Sequence, residues 1–157
     1  MAAPRLLLTC GLPGAGKTTW AVRMAAERQA VRLSKDEWLR ALGMSPWSRT
    51  EGEAMERQLW RFAQDLLTAK VNVIVDFGLW ARAERDEMRI AGRRMGAGVE
   101  LHIFDVPTDE LWRRIQERNA SPEWKDKPIS RADLDEWVAM FEAPDDDEIA
   151  LFDPPVS

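Results

Sequence analysis

Short apolar runs alternate with longer stretches of helical periodicity along this chain, the pattern of an α/β fold built on a buried parallel sheet. Leu6–Cys10, Ala30–Leu33, Val71–Asp76 and Val99–Val106 read as strands, and their near-continuous apolar character suits strands covered on both faces. A short fifth strand is expected over Glu148–Phe152. Helices are expected over residues 19–27, 35–42, 49–69, 80–95, from about 108 onward, and to about 142 at the end. Ser34 with Glu37, and Ser130 with Asp133, predict capping boxes, and Thr108 an N-cap ahead of Asp109 and Glu110. Ser121–Pro128 is a polar break with two prolines. With no internal repeat and no linker, residues 1–157 read as one domain.

Composition narrows the class. At 157 residues the chain supports one real core. Its net charge of −5 argues against a broad phosphate-tracking surface, though a local basic pocket is compatible with it. No apolar run reaches membrane-spanning length, and Met1–Arg5 lead straight into the first strand, so neither a membrane span nor a signal peptide is expected. The single cysteine, Cys10, precludes an internal disulfide and fits a cytoplasmic protein; at the end of a buried strand it reads as core, not as a nucleophile.

One motif dominates the chemistry. Gly11-Leu12-Pro13-Gly14-Ala15-Gly16-Lys17-Thr18 fits G-x-x-x-x-G-K-[ST], the phosphate-binding P-loop, and lies between a strand and a helix as that motif requires. Glycines let backbone N–H groups turn toward phosphate oxygens, and the helix N-terminus adds partial positive charge there. Gly11, Pro13, Gly14, Ala15, Gly16, Lys17, Thr18 and Thr19 are therefore expected to hold ATP. Lys17 would reach the β- and γ-phosphates, and the Thr18 hydroxyl a Mg²⁺ ion.

Parallel sheets bind ligands at the carboxyl ends of their strands, so residues there are the next candidates. Asp36, just beyond the second strand, is expected to orient an attacking hydroxyl, although an acid in a first helical turn also has a capping role. Asp76 ends the third strand in a Walker-B-like position, close to where the Mg²⁺ shell would lie. Arg113, Arg114 and Arg118 precede the polar break, and Arg114 and Arg118 share a helix face. A lid around 113–130 would carry guanidinium groups over the phosphates, while Glu110 and Glu117 offer Arg113 and Arg114 ordinary surface pairing. Arg82 and Arg85 read as solvated surface, Asp145–Glu148 as a solvated turn, and His102 as a satisfied sheet histidine. Most of the eight tryptophans read as core. Trp38, Trp47 and Trp80, near strand ends or in a loop, are the ones placed to stack on an acceptor ring.

The segments GLPGAGKTT, SKDEW, VIVDFGLWARAERDEMR, RRIQERN and FEAPDDDE together resemble the small P-loop kinases of the AAA-like ATP-binding group, kin to chloramphenicol phosphotransferase, zeta toxin and the 5′-kinase domain of polynucleotide kinase. The resemblance runs along nearly the whole chain. It implies a five-stranded parallel sheet of order 2-3-1-4-5 with a mobile lid, Asp36 as the hydroxyl-activating carboxylate, and Arg118 as a lid contact to ATP phosphates. Two departures stand out. Polynucleotide kinases carry a basic residue shortly after the lid Arg-Asn pair, where this chain has Ala120-Ser121-Pro122-Glu123. They also carry an acceptor-gripping Arg three residues after the Asp, where this chain has Leu39, with Arg40 next. The expected activity is transfer of the ATP γ-phosphate to a hydroxyl of a small molecule that no motif identifies. A polynucleotide 5′-hydroxyl kinase is less favoured, and an ATP-dependent switch acting on a partner protein is the non-enzymatic alternative.

Overall fold

The computed structural model describes residues 2–156. Its strands are β1 (Arg5–Cys10), β2 (Ala30–Ser34), β3 (Asn72–Asp76) and β4 (Gly98–Ile103). All pair in parallel, in the order β2-β3-β1-β4. The helices are α1 (Lys17–Glu27), α2 (Lys35–Ala41), α3 (Arg49–Thr68), α4 (Arg82–Arg94), α5 (Thr108–Ala120), α6 (Arg131–Met140) and α7 (Asp146–Ile149).

Strand alternation divides the core into layers. Leu6 and Leu8 of β1, with Leu33, Val73, Val75 and Val99, pack against Leu39 of α2 and the α3 stripe Met55, Leu59, Ala63 and Leu67. The stripe repeats every four residues, the spacing that keeps one helix face on the sheet. Leu7 and Ile74 point the other way, onto Ala21 of α1. A third cluster joins Leu12 and Ala15 of the glycine loop to Leu111 and Ile115 of α5 and Leu134 of α6. The phosphate loop thus rests on the helices that lead into and out of the polar break.

Four expectations change. Among the described residues the sheet has four strands, not five. The segment expected as the fifth begins as α7, because Asp145 accepts a hydrogen bond from the Glu148 N–H and three acids fill the first turn, both of which favour a helix start. Asp145–Glu148 is therefore not simply a solvated turn. Thr108 is the first residue of α5, not its cap; Pro107 occupies the cap position, and its fixed φ suits that entry. Ser34 does cap α2 by accepting from the Glu37 N–H, but the Glu37 carboxylate turns to Arg32 and leaves the box half made. The Ser130–Asp133 box is complete.

Candidate active site

The glycine loop owes its shape to backbone that side chains would obstruct. Gly14 and Gly16 have φ of 86° and 92°, the left-handed region glycine enters without strain. Around this loop the strand ends are laced together. The Gly11 N–H donates to the Gly78 carbonyl, the Gly78 N–H to the Thr9 hydroxyl, and the Trp80 indole N–H to the Gly11 carbonyl. Gly78 (φ 76°) leaves no room for a side chain: a Cβ would stand 2.9 Å from the Gly11 carbonyl oxygen.

Among the described helices α1 is the one with neither a side-chain cap nor an acid in its first turn. Its leading N–H groups and dipole are left for an anion. Lys17 lies in that turn and donates to the Leu12 carbonyl at 2.7 Å. Burial lowers its pKa to about 8, against the pull of Asp76 and Asp36 and with a push from Arg118.

Asp76 is buried at the end of β3. Its two carboxylate oxygens accept from the Thr9 hydroxyl and the Arg32 guanidinium, each at 3.1 Å. Burial raises its pKa while Thr9, Arg32 and Lys17 oppose the rise. Asp36, in the first turn of α2, faces the same cleft, which has a volume of about 600 Å³. Arg118 reaches the cleft from the end of α5, with its guanidinium carbon 5.3 Å from the centre of the Trp124 ring. Its pKa is lowered by desolvation and by Arg40, with Asp36 opposing.

Of the residues expected from sequence, the cleft gathers Gly11, Pro13, Gly14, Gly16, Lys17, Thr18, Thr19, Asp36, Asp76 and Arg118. Ala15 is buried beneath the loop. Arg114 does not line the cleft: its guanidinium holds the loop from outside, donating to the Gly14 carbonyl at 3.2 Å and to Glu110. Arg113 pairs with Glu110 and Glu117 on the surface. Trp47 and Trp80 line the cleft, whereas Trp38 packs on Phe62 outside it. His102 is satisfied by Glu100 and lies against Trp20. Thr18 and Asp76 supply oxygen donors to one cavity, which suits Mg²⁺, an ion that keeps waters and uses few protein ligands beside substrate phosphates.

Arg85 overturns its surface reading. It is fully buried, donates to both carboxylate oxygens of Glu148 and reaches the carbonyls of Leu79, Trp80 and Glu142. Sequence reasoning also missed Arg32, Trp124 and Trp137, and had treated Arg40 only as a displaced counterpart. Arg40 lines the cleft, pairs with Asp126 at 2.6 Å and stands 5.5 Å over Trp124. The available signal for Arg32 was a charged residue inside an otherwise apolar strand.

The parallel sheet and the glycine loop at its carboxyl end define a P-loop kinase fold. The AAA domain family model matches residues 6–144, and the chain belongs to that family. No curated protein matches the sequence. The fold is similar to a chain of the Pnkp1/Rnl/Hen1 RNA repair complex (TM-score 0.75, 24% identity), covering 89% of this chain and 44% of that one. This chain thus spans less than half the length of that relative. It is also similar to Kti12 of Chaetomium thermophilum in complex with ADP-AlF3 (TM-score 0.70, 20% identity, 89% and 81% covered). A third likeness is to the Mycobacterium tuberculosis APS kinase CysC in complex with AMPPNP and APS (TM-score 0.60, 18% identity, 89% and 98% covered).

Proposed function

We infer that the chain is an ATP- and Mg²⁺-dependent phosphotransferase that moves the γ-phosphoryl group of ATP to a hydroxyl of a small-molecule acceptor. One observation carries this reading: Lys17, Thr18, Asp36, Asp76 and Arg118, drawn from the four elements α1, α2, β3 and α5, line a single cleft. The P-loop N–H groups and Lys17 bind the polyphosphate. Thr18 and Asp76 would hold Mg²⁺, which would supply neutralisation of phosphate charge. The acceptor oxygen attacks the γ-phosphorus as the bond to the β–γ bridging oxygen breaks. ADP leaves, and the hydroxyl proton passes to the Asp36 carboxylate. Asp36 chiefly orients the hydroxyl for attack. Arg118 stabilises charge on the transferring group.

A polynucleotide 5′-hydroxyl acceptor is the second reading. It is favoured by the fold likeness to a chain of an RNA repair complex and by Arg40, a cation in the cleft one helical turn beyond Asp36. A screen with γ-labelled ATP against alcohols, nucleosides, sugars and 5′-hydroxyl oligonucleotides separates the two. Asp36→Asn is expected to bind Mg·ATP normally and to lose roughly two to four decades of transfer, the usual range for acid–base help. Full transfer by that variant would remove Asp36 from the mechanism. ATP binding with no transfer to any acceptor would favour the switch reading.

A further inference from the structure

The cleft has a second wall that phosphate chemistry does not require. Of the chain's eight tryptophans, Trp47, Trp80, Trp124 and Trp137 line it. Three of them form a contiguous surface, with ring centres 5.8 Å apart for Trp47–Trp137 and 6.1 Å for Trp80–Trp137. The surface is fixed from behind. The Trp80 indole N–H is committed to the Gly11 carbonyl, so that ring is held at the phosphate loop itself. The Lys127 ammonium stands 4.3 Å from the Trp47 ring centre, at cation–π distance. All three indoles remain partly exposed.

The polar side chains of the cleft argue against a polyol. Its lining includes no Asn or Gln among the described residues, and two of its carboxylates are already engaged, Glu37 by Arg32 and Asp126 by Arg40. A sugar recognised through several hydroxyls would find few free partners. A flat π-system finds three indole rings.

We propose that the acceptor carries a planar aromatic ring, which stacks on the Trp47–Trp137–Trp80 wall while its hydroxyl reaches Asp36. This rests on the phosphotransferase reading and names the substrate class of the same cleft. Stacking on indoles tolerates different rings, so nucleosides and simple aromatic alcohols share the required chemistry.

The test is an equilibrium titration that needs no turnover. Protein labelled at the indole nitrogens and loaded with Mg·AMPPNP is titrated with benzyl alcohol against cyclohexylmethanol, and with adenosine against ribose, following the indole N–H resonances. The aromatic member of at least one pair should shift the Trp47, Trp80 and Trp137 signals saturably, about tenfold more tightly than its saturated or ring-free counterpart. Benzyl alcohol and adenosine together separate a simple arene from a nucleobase. Equal response to cyclohexylmethanol, a preference for ribose, or no response to either aromatic compound overturns the proposal. In turnover, Trp137→Leu should raise KM for the aromatic acceptor about tenfold with kcat little changed, and Trp137→Phe should restore most of it. A packing role alone would lower the melting temperature without this split. Should Trp137→Leu fail to fold, the wild-type titration still decides. Failure to bind Mg·AMPPNP counts against the phosphotransferase reading, whereas ring-independent acceptor binding counts against this one.

Discussion

At the scale of single residues, Lys17 connects local structure to a measurable pH dependence. Its folded pKa of about 8 lies below the ordinary 10.5 because burial disfavours the ammonium. A bound polyphosphate favours the ammonium and raises that value. Below pH 8 the free protein already carries the proton, and binding is insensitive to Lys17. Above pH 8 binding must draw a proton onto it, so affinity falls as pH rises, approaching about tenfold per unit. Titration of Mg·ATP from pH 7 to 9.5 should show this bend, with proton uptake at pH 8.5 visible as a dependence of binding heat on the buffer. Lys17→Met should bind more weakly at pH 7 and show no bend. A flat wild-type profile would mean that Lys17 does not meet the phosphates. The site around Lys17 was legible in sequence because it is local: eight consecutive positions define the loop, and Asp36 and Asp76 follow directly from strand ends. Arg32 was not legible as the partner of Asp76, because their contact spans 44 residues and two neighbouring strands.

At the scale of elements, strands and long helices followed the apolar pattern, and the largest departure lies at the C-terminus. The C-terminal segment carries its own helix start in the Asp145 cap and the acids after it, and Arg85, 63 residues away from Glu148, adds a buried partner that its own stretch does not reveal. The buried guanidinium needs a carboxylate, and α7 supplies one by starting where a strand was expected. This pair also fixes the loop after β3, since Arg85 holds the Leu79 and Trp80 carbonyls and Trp80 in turn holds Gly11. Removing one partner leaves an uncompensated buried charge. Glu148→Ala should therefore cost about 3–5 kcal/mol in denaturant unfolding. Arg85→Met with Glu148→Leu should recover most of that loss, because a buried pair is often replaceable by apolar groups of similar volume. A loss under 1 kcal/mol for Glu148→Ala would show that the segment is not anchored there. The indole wall was legible in part: Trp47 and Trp80 stood out by their positions near strand ends or in a loop, but Trp137 comes from a third stretch that only the fold makes their neighbour.

At the scale of the whole molecule, the segment from Arg113 to Ser130 contributes Arg118, Trp124, Asp126 and Ile129 to the wall of the cleft. Ile115 and Ile129 bury it against Leu12, Leu111 and Leu134, and its hold on α2 is polar and aromatic. Asp126 pairs with Arg40 of α2, and the Trp124 ring lies within 5.5 Å of both the Arg40 and Arg118 guanidinium groups. We infer that these part-exposed contacts let the 121–128 stretch part from α2 while Leu111, Ile115 and Ile129 stay buried. We propose that Arg118 exchanges its Trp124 contact for ATP phosphate as transfer begins. A bidentate contact in a drier site strengthens as charge develops on the transferring group. Arg118→Ala should then lower turnover at least tenfold, with ATP affinity and melting temperature nearly unchanged. Arg118→Lys should recover only part, because a point charge lacks the planar fork. If Arg118 instead serves only to seat Trp124, the Lys variant should restore full turnover, since an ammonium over an indole also makes a cation–π contact. Turnover, ATP affinity and melting temperature, measured on both variants, separate the two roles: partial rescue with intact melting places the guanidinium on phosphate, and full rescue leaves it on the lid.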